Sequence, residues 1–216
     1  MPTLAEHLTE LIVRRGERSE IHAVTSELLA GLVKNRAPAS AVWHPLGFVY
    51  LPLHRESKRT LRLHIWASEL PRATLTTSPY HCHAWDLTSY VYCGRLSNVL
   101  VDVRPASAAP DYRIFHISGD SRIDLLQPTA DVVSATIVSA DDVVSGQTYT
   151  IPAGRYHATN VGDCLTATVV VAQRRPSFPE FTLGPVALGA HRTHRQPVSA
   201  DLLTRTAARV LAASTA

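Results

Sequence analysis

From about residue 38 to residue 173 the chain reads as an unbroken series of short strands, with no helical period between them. GFVYLPL (47–53), TLRLHIW (60–66), TSYVYCG (88–94), SNVLVDV (97–103) and YRIFHI (112–117) are brief and rich in β-branched and aromatic residues. DVVSATIV (131–138), QTYTIPA (147–153) and CLTATVVVAQ (164–173) continue the series. Turn-forming residues separate them: Gly94-Arg95, Ser118-Gly119-Asp120, Ser145-Gly146 and Gly162-Asp163. About nine or ten strands with no intervening helix exclude a doubly wound parallel sheet, whose crossovers need helices. An all-β sandwich or barrel remains.

Helical spacing is confined to the two ends. Leu4, Leu8, Leu11 and Ile12 recur at three and four residues, as do Ile21, Val24, Leu28, Leu29 and Leu32. Thr3 with Glu6 has the pattern of a capping box, and Gly16 is placed to end the first helix. Pro176, Pro179, Pro185 and Pro197 predict an irregular return segment, followed from Ser199 by a helix with Leu202, Leu203 and Val210 as its apolar stripe. The expected organisation is a single domain: a helical segment at 1–36, a barrel at 37–175, and a return segment with a closing helix at 176–216.

Composition excludes several function classes. Of 216 residues, 45% are hydrophobic and 18% charged, which rules out a disordered or fibrous chain. Three cysteines are too few for a disulfide framework, and no apolar run is long enough to span a membrane. The basic residues are nearly all arginines, scattered along the chain, and the net charge is only +3, so no nucleic-acid footprint is expected. The amphipathic N-terminus, acidic early on, does not read as a cleaved leader, and a cytoplasmic location is expected.

The eleven histidines are the chemical signal. In His81-Cys82-His83, strand alternation would put both imidazoles on one face and Cys82 on the other. Two histidines so placed supply two adjacent positions of a tetrahedral or octahedral metal. Downstream, GQTYTIPAGRYHATN (146–160) turns through Pro152, Ala153 and Gly154 before His157.

Together these segments resemble the paired motifs of the cupin superfamily, double-stranded β-helix jelly rolls, over about residues 75–173. Gly94 is in step with the closing glycine of the first motif, and the second motif fits nearly position for position. The opening glycine is missing, since Leu75 or Thr76 stands there. The stretch from Gly94 to Gly146 is long for a cupin and implies an extended hairpin or added strands. Where most cupins place a glutamate ligand, this chain has Leu87.

The resemblance therefore implies a metal held by His81, His83 and His157, three neutral imidazoles with donor nitrogens about 3–3.5 Å apart. A bulge of one residue would bring Asp86 into the vacant position; otherwise Asp86 lies outside or steadies a histidine from behind. In similar families, cysteine and thiol dioxygenases among them, three-histidine sites hold Fe(II); Zn, Ni or Mn are the alternatives. Three neutral ligands leave the ion doubly charged, which favours an anionic chelating substrate.

Other residues compete for the pocket. In TLRLHIW, Arg62, His64 and Trp66 share one face, opposite Leu61, Leu63 and Ile65. Either the polar face looks inward, with Arg62 and His64 binding substrate, or Arg62 is solvated. Arg155, two residues before His157, would share its side of a regular strand. Tyr90 and Tyr92 share a face, and either could present an acid–base hydroxyl or simply pack. Cys93 reads as a small buried hydrophobe, and His191 and His194 as loop residues in solvent.

The expected function is a non-haem Fe(II) dioxygenase-like oxidoreductase of small molecules. The alternatives are a metal-dependent isomerase or lyase, with Tyr90 or Tyr92 as acid or base, and a non-catalytic ligand-binding cupin. A small-molecule partner, no nucleic acid, no membrane and a homodimer through exposed edge strands are expected.

Overall fold

A computed structural model describes residues 2–35, 40–68, 70, 75–106, 108–120 and 122–214. The boundary expected at 36–37 lies outside them. Among the described residues there are three helices, α1 (Leu4–Val13), α2 (Arg18–Asn35) and α3 (Ala200–Ala213). The strands are β1 (Val42–His44), β2 (Phe48–Arg55), β3 (Arg59–Trp66), β4 (His81–Cys82), β5 (Trp85–Cys93), β6 (Arg95–Pro105) and β7 (Tyr112–Gly119). They continue with β8 (Ile123–Val144), β9 (Thr148–Ile151), β10 (His157–Asn160), β11 (Thr166–Arg174), β12 (Phe181–Gly184) and β13 (His191–His194). No described helix is long and apolar enough to cross a membrane.

The strands form the expected all-β jelly roll. One sheet has the order β1-β2-β3-β11-β5-β9, the other β13-β8-β6-β10-β4-β12-β7. Strand β8 is 22 residues long and pairs with β13, β7 and β6 in turn, so the second sheet curls back on itself. That excursion through β6, β7 and β8 fills the long interval between the two motifs. Two segments depart from expectation. DVVSATIV is the middle of β8 and not a separate strand, and the proline-rich return contributes β12 and β13.

The main hydrophobic core lies outside the barrel. Leu8, Leu11 and Ile12 of α1, Ile21 and Leu29 of α2, and Leu203 and Val210 of α3 cover one face of the first sheet. That face presents Leu61, Leu63, Ile65, Val169 and Val171, all at most 2% exposed. The helices bury their apolar stripes against this aliphatic surface, which takes both out of water. The opposite face of the same strands is left to line the barrel interior.

Helix α1 begins with the expected capping box: Glu6 N donates to Thr3 Oγ1, and Thr3 N to the Glu6 carboxylate at 2.7 Å. Its end differs in detail. Arg15, at φ 53°, takes the left-handed position, and Gly16 N then donates to Leu11 O at 2.8 Å. This is a Schellman closure with arginine where glycine is usual.

Tyr90 and Tyr92 belong to this outer core, each 0% exposed. They share a face as expected, but it is the helix-covered face, so neither supplies the acid–base hydroxyl considered above. The Tyr92 ring stacks on His22 at 4.6 Å, and its hydroxyl lies 2.7 Å from Ser26 Oγ and 2.8 Å from Ser214 Oγ. It thereby ties α2 to the C-terminal end of α3. Tyr92→Phe is expected to lower stability by about 1 kcal/mol and to leave metal content unchanged. Thermal unfolding with elemental analysis checks both, and a variant that lost its metal would restore Tyr92 to the site.

Candidate metal centre

Three histidines meet where β4 and β10 pair. His81 and His157 are direct partners in the antiparallel register, which brings their side chains together on one face. His83 follows β4 by one residue, and its carbonyl accepts from Gly154 N at 2.9 Å. The turn of the second motif is thus fastened to the backbone of the first. Gly154 (φ 75°) and Gly94 (φ 78°) occupy left-handed positions where any larger residue would also collide, with the Phe178 ring and the Leu165 carbonyl respectively.

The ring centroids of His81, His83 and His157 lie 4.4–5.1 Å apart. One nitrogen from each falls within 4.8 Å of the others. A single bound ion would hold the three nitrogens about 3–3.5 Å apart. Two of the three are oriented from behind. His81 Nδ1 donates to Pro79 O at 2.9 Å and His157 Nδ1 to Arg155 O at 3.0 Å, the tautomer that leaves each Nε2 lone pair available. His83 Nδ1 is buried with no hydrogen-bond partner among the described residues, a polar group the protein itself does not satisfy.

Burial also keeps the rings uncharged. Desolvation lowers His81, holds His83 well below the ordinary histidine range, and pushes His157 down to about 3. Neutral imidazoles with fixed tautomers are the donor set that Fe, Zn or Ni prefers. The residues therefore fit a divalent metal.

Leu87 lines the cavity at the position of the missing carboxylate. Asp86 faces elsewhere, which corrects its assignment as a possible fourth ligand. Partial burial raises its carboxyl, but hydrogen bonds from Ala153 N at 2.8 Å and Arg175 Nε at 2.5 Å bring it below the usual carboxylate range. Asp86 braces the turn that delivers His157. Asp86→Asn is expected to leave metal affinity unchanged and to cost less than about 1 kcal/mol of stability. Titration of both proteins with Fe(II) checks this, and a loss of ten-fold or more would make Asp86 a ligand after all.

The three histidines open into a cavity of about 1570 Å³ between the sheets. Strand β3 turns its polar face into it, so Arg62, His64 and Trp66 all line the interior. The aliphatic face is indeed core, but the core lies on the helix side. Phe48 packs against His64 at 4.5 Å and Trp66 at 5.0 Å, making an aromatic wall. Burial pushes His64 down to about 3, with the nearby Arg62 charge adding to the effect, and its Nε2 is buried with no hydrogen-bond partner among the described residues. The side chain of Arg155 is not among those lining the cavity; its contribution is the carbonyl that orients His157.

Sequence reasoning missed several lining residues. His194 belongs to β13 and, with His116 and Glu180, faces the cavity. Arg195 forms a two-pronged pair with Asp124, both bonds 2.9 Å. Glu180, His194 and Arg195 lie in or beside β12 and β13, which lack hydrophobic alternation and gave no strand signal, whereas His116 sits in the strand expected at 112–117. Cys93 is buried core as expected, with its thiol pushed up to about 11 by burial.

No protein-family model and no curated protein sequence matches the chain. Among solved structures the chain is similar to an oxalate decarboxylase variant from Bacillus subtilis, with a TM-score of 0.36 and 10% identity over 63% of this chain and 28% of that one. It is similar to an 11S globulin from Wrightia tinctoria, with a TM-score of 0.35 and 13% identity over 68% and 31% of the two chains. A structure of DMSP lyases gives a TM-score of 0.32 and 14% identity over 58% and 47%. The chain spans less than half the length of each.

Proposed function

We propose that this chain is a metal-dependent enzyme acting on small anionic molecules and, within that class, a non-haem Fe(II) dioxygenase-like oxidoreductase. The observation that carries the reading is the convergence of three neutral histidines, with an apolar leucine in place of a carboxylate ligand, at the wall of a cavity that also holds Arg62. His81, His83 and His157 would hold the metal. Fe(II) bound there would supply a reducing centre for O₂ and a Lewis acid for a chelating substrate.

The remaining work falls to the chain's own groups. The carbonyls of Pro79 and Arg155 fix two imidazole tautomers, so that a nitrogen lone pair and not an N–H is offered. With no carboxylate among the ligands, the double charge of the ion stays uncompensated, and an anionic substrate is favoured over a neutral one. Arg62 orients that substrate through its guanidinium. Phe48 and Trp66 exclude water along one wall, and a drier cavity strengthens each of these interactions.

A second reading, a metal-dependent isomerase or lyase, is favoured by one observation: Tyr50 lines the same cavity, with the Arg62 guanidinium 5.5 Å from its ring centre. It offers the hydroxyl that Tyr90 and Tyr92 do not. The test is metal analysis of protein purified without oxygen, followed by O₂ uptake with candidate carboxylic acids. Iron with substrate-dependent O₂ consumption supports the dioxygenase. Turnover without O₂ supports the isomerase or lyase, and metal binding without any turnover would make the chain a ligand-binding cupin.

A further inference from the structure

Arg62 is a cation held by aromatic rings in place of an acid. Its guanidinium carbon lies 4.8 Å from the Trp85 ring centre and 5.5 Å from that of Tyr50. Ring faces attract a cation but leave its charge intact, whereas a carboxylate would cancel it. The contrast within the same cavity is Arg195, which is neutralised by Asp124 through two hydrogen bonds. Among the described residues, Arg62 spends only its Nε–H, on Thr60 Oγ1 at 2.8 Å. Among the described residues, no acceptor is bonded to its two terminal amino groups, and a guanidinium carries five N–H donors in all.

The surrounding charges reinforce this. Arg174 lies 5.5 Å from the ring centre of the same Trp85, and Arg55 lines the same cavity; both are exposed. The acid facing this group is Glu180, which accepts from Trp85 Nε1 at 3.0 Å. Among the described residues, three guanidinium groups against one engaged carboxylate make this end of the cavity positive. Arg62, His81, His83 and His157 all line this one cavity.

We propose that the substrate is a dianion, with one chelating acidic group at the histidine centre and a second oxyanion, carboxylate or phosphate, at Arg62 behind Arg174 and Arg55. This deepens the functional reading above and rests on it for the first of the two groups. The second group stands on Arg62 alone. A planar guanidinium with unspent N–H donors binds an oxyanion through paired charge-assisted hydrogen bonds, and a monoanion already committed to the metal could not reach it.

The test is isothermal titration of the full-length protein as purified, with glutarate, 3-phosphonopropionate and butyrate as probes and metal content measured on every sample. The dianions should bind at least ten-fold more tightly than butyrate, and whichever of the two is tighter identifies the oxyanion. Arg62→Met should abolish the preference while leaving metal content at the wild-type level. Arg174→Ser, an exposed change that does not touch the core, should weaken the dianions about three-fold and butyrate hardly at all. Equal binding of dianions and butyrate in the wild type would overturn the proposal, as would a preference that survives in both variants. A dianion preference in protein that holds no metal would sink the metal reading and leave the Arg62 site standing.

Discussion

Replacing His157 with alanine is expected to strip the metal from the protein, lowering affinity by at least 100-fold while the barrel remains folded. The size follows from what is lost. Disturbing a group that merely orients a ligand already costs about 10–100-fold, and here one of three ligands disappears with its carbonyl contact to Arg155. The fold survives because the contribution of His157 to the sheet is its backbone. β10 pairs with Leu100 of β6 on one side and His81 of β4 on the other, and alanine keeps both partners. Equilibrium dialysis of Fe(II) or a surrogate ion, with circular dichroism on the same samples, separates the two effects. Stoichiometric metal in a folded His157→Ala protein would refute the ligand set.

Acid should destabilise the protein through histidines that are not ligands. Burial, with a smaller push from the Arg62 charge, holds His64 at about 3 against an ordinary 6.5. His44 is held well below its ordinary value by burial and by the Arg195 charge, with His64, His81 and Arg62 adding to it. A group whose native value is depressed takes up its proton only on unfolding. Its contribution to stability is therefore complete above 6.5 and is lost progressively as pH falls from 6.5 toward 3. At pH 5 His64 alone accounts for about 2 kcal/mol, or about 4–8 °C in Tm for a chain of this size, and His44 acts in the same direction. His64→Phe removes the titrating group and suits its neighbours Phe48 and Trp66. The variant should show a correspondingly flatter dependence of Tm on pH between 7 and 5. An identical slope in variant and wild type would show that His64 is not buried as a neutral ring.

The site was legible in the sequence wherever spacing alone decided it. His81, His83 and His157 were fixed by two motifs, and the count from Gly94 placed Leu87, not Asp86, toward the cavity. What alternation cannot say is which of two faces looks inward. In β3 it grouped Arg62 with His64 and Trp66, and in β5 Tyr90 with Tyr92, but both strands are covered on both sides. The deciding element is the layer of helices, which takes the aliphatic face of β3 and the tyrosine face of β5. The helices were recognisable, but nothing in their periodicity names the strands they cover.

The strand boundaries failed for local reasons. In β8, Pro128, Thr129 and Asp131 look like a break, yet the chain continues through them by shifting register against β7 between Arg113 and Phe115. FTLG and HRTH, too short or too polar to alternate, become β12 and β13 only because neighbouring strands supply hydrogen bonds. His194, Glu180 and Arg195 were missed with them.

In the proposed site three imidazoles of this chain bind one divalent ion. X-ray absorption at the metal edge, on the full-length protein loaded with Fe(II), tests it most directly. The expected result is one ion per chain in a shell of nitrogen and oxygen, with the outer-shell pattern of about three histidine rings. An ion held by sulfur from the neighbouring Cys82, or a spectrum without the imidazole pattern, would contradict it.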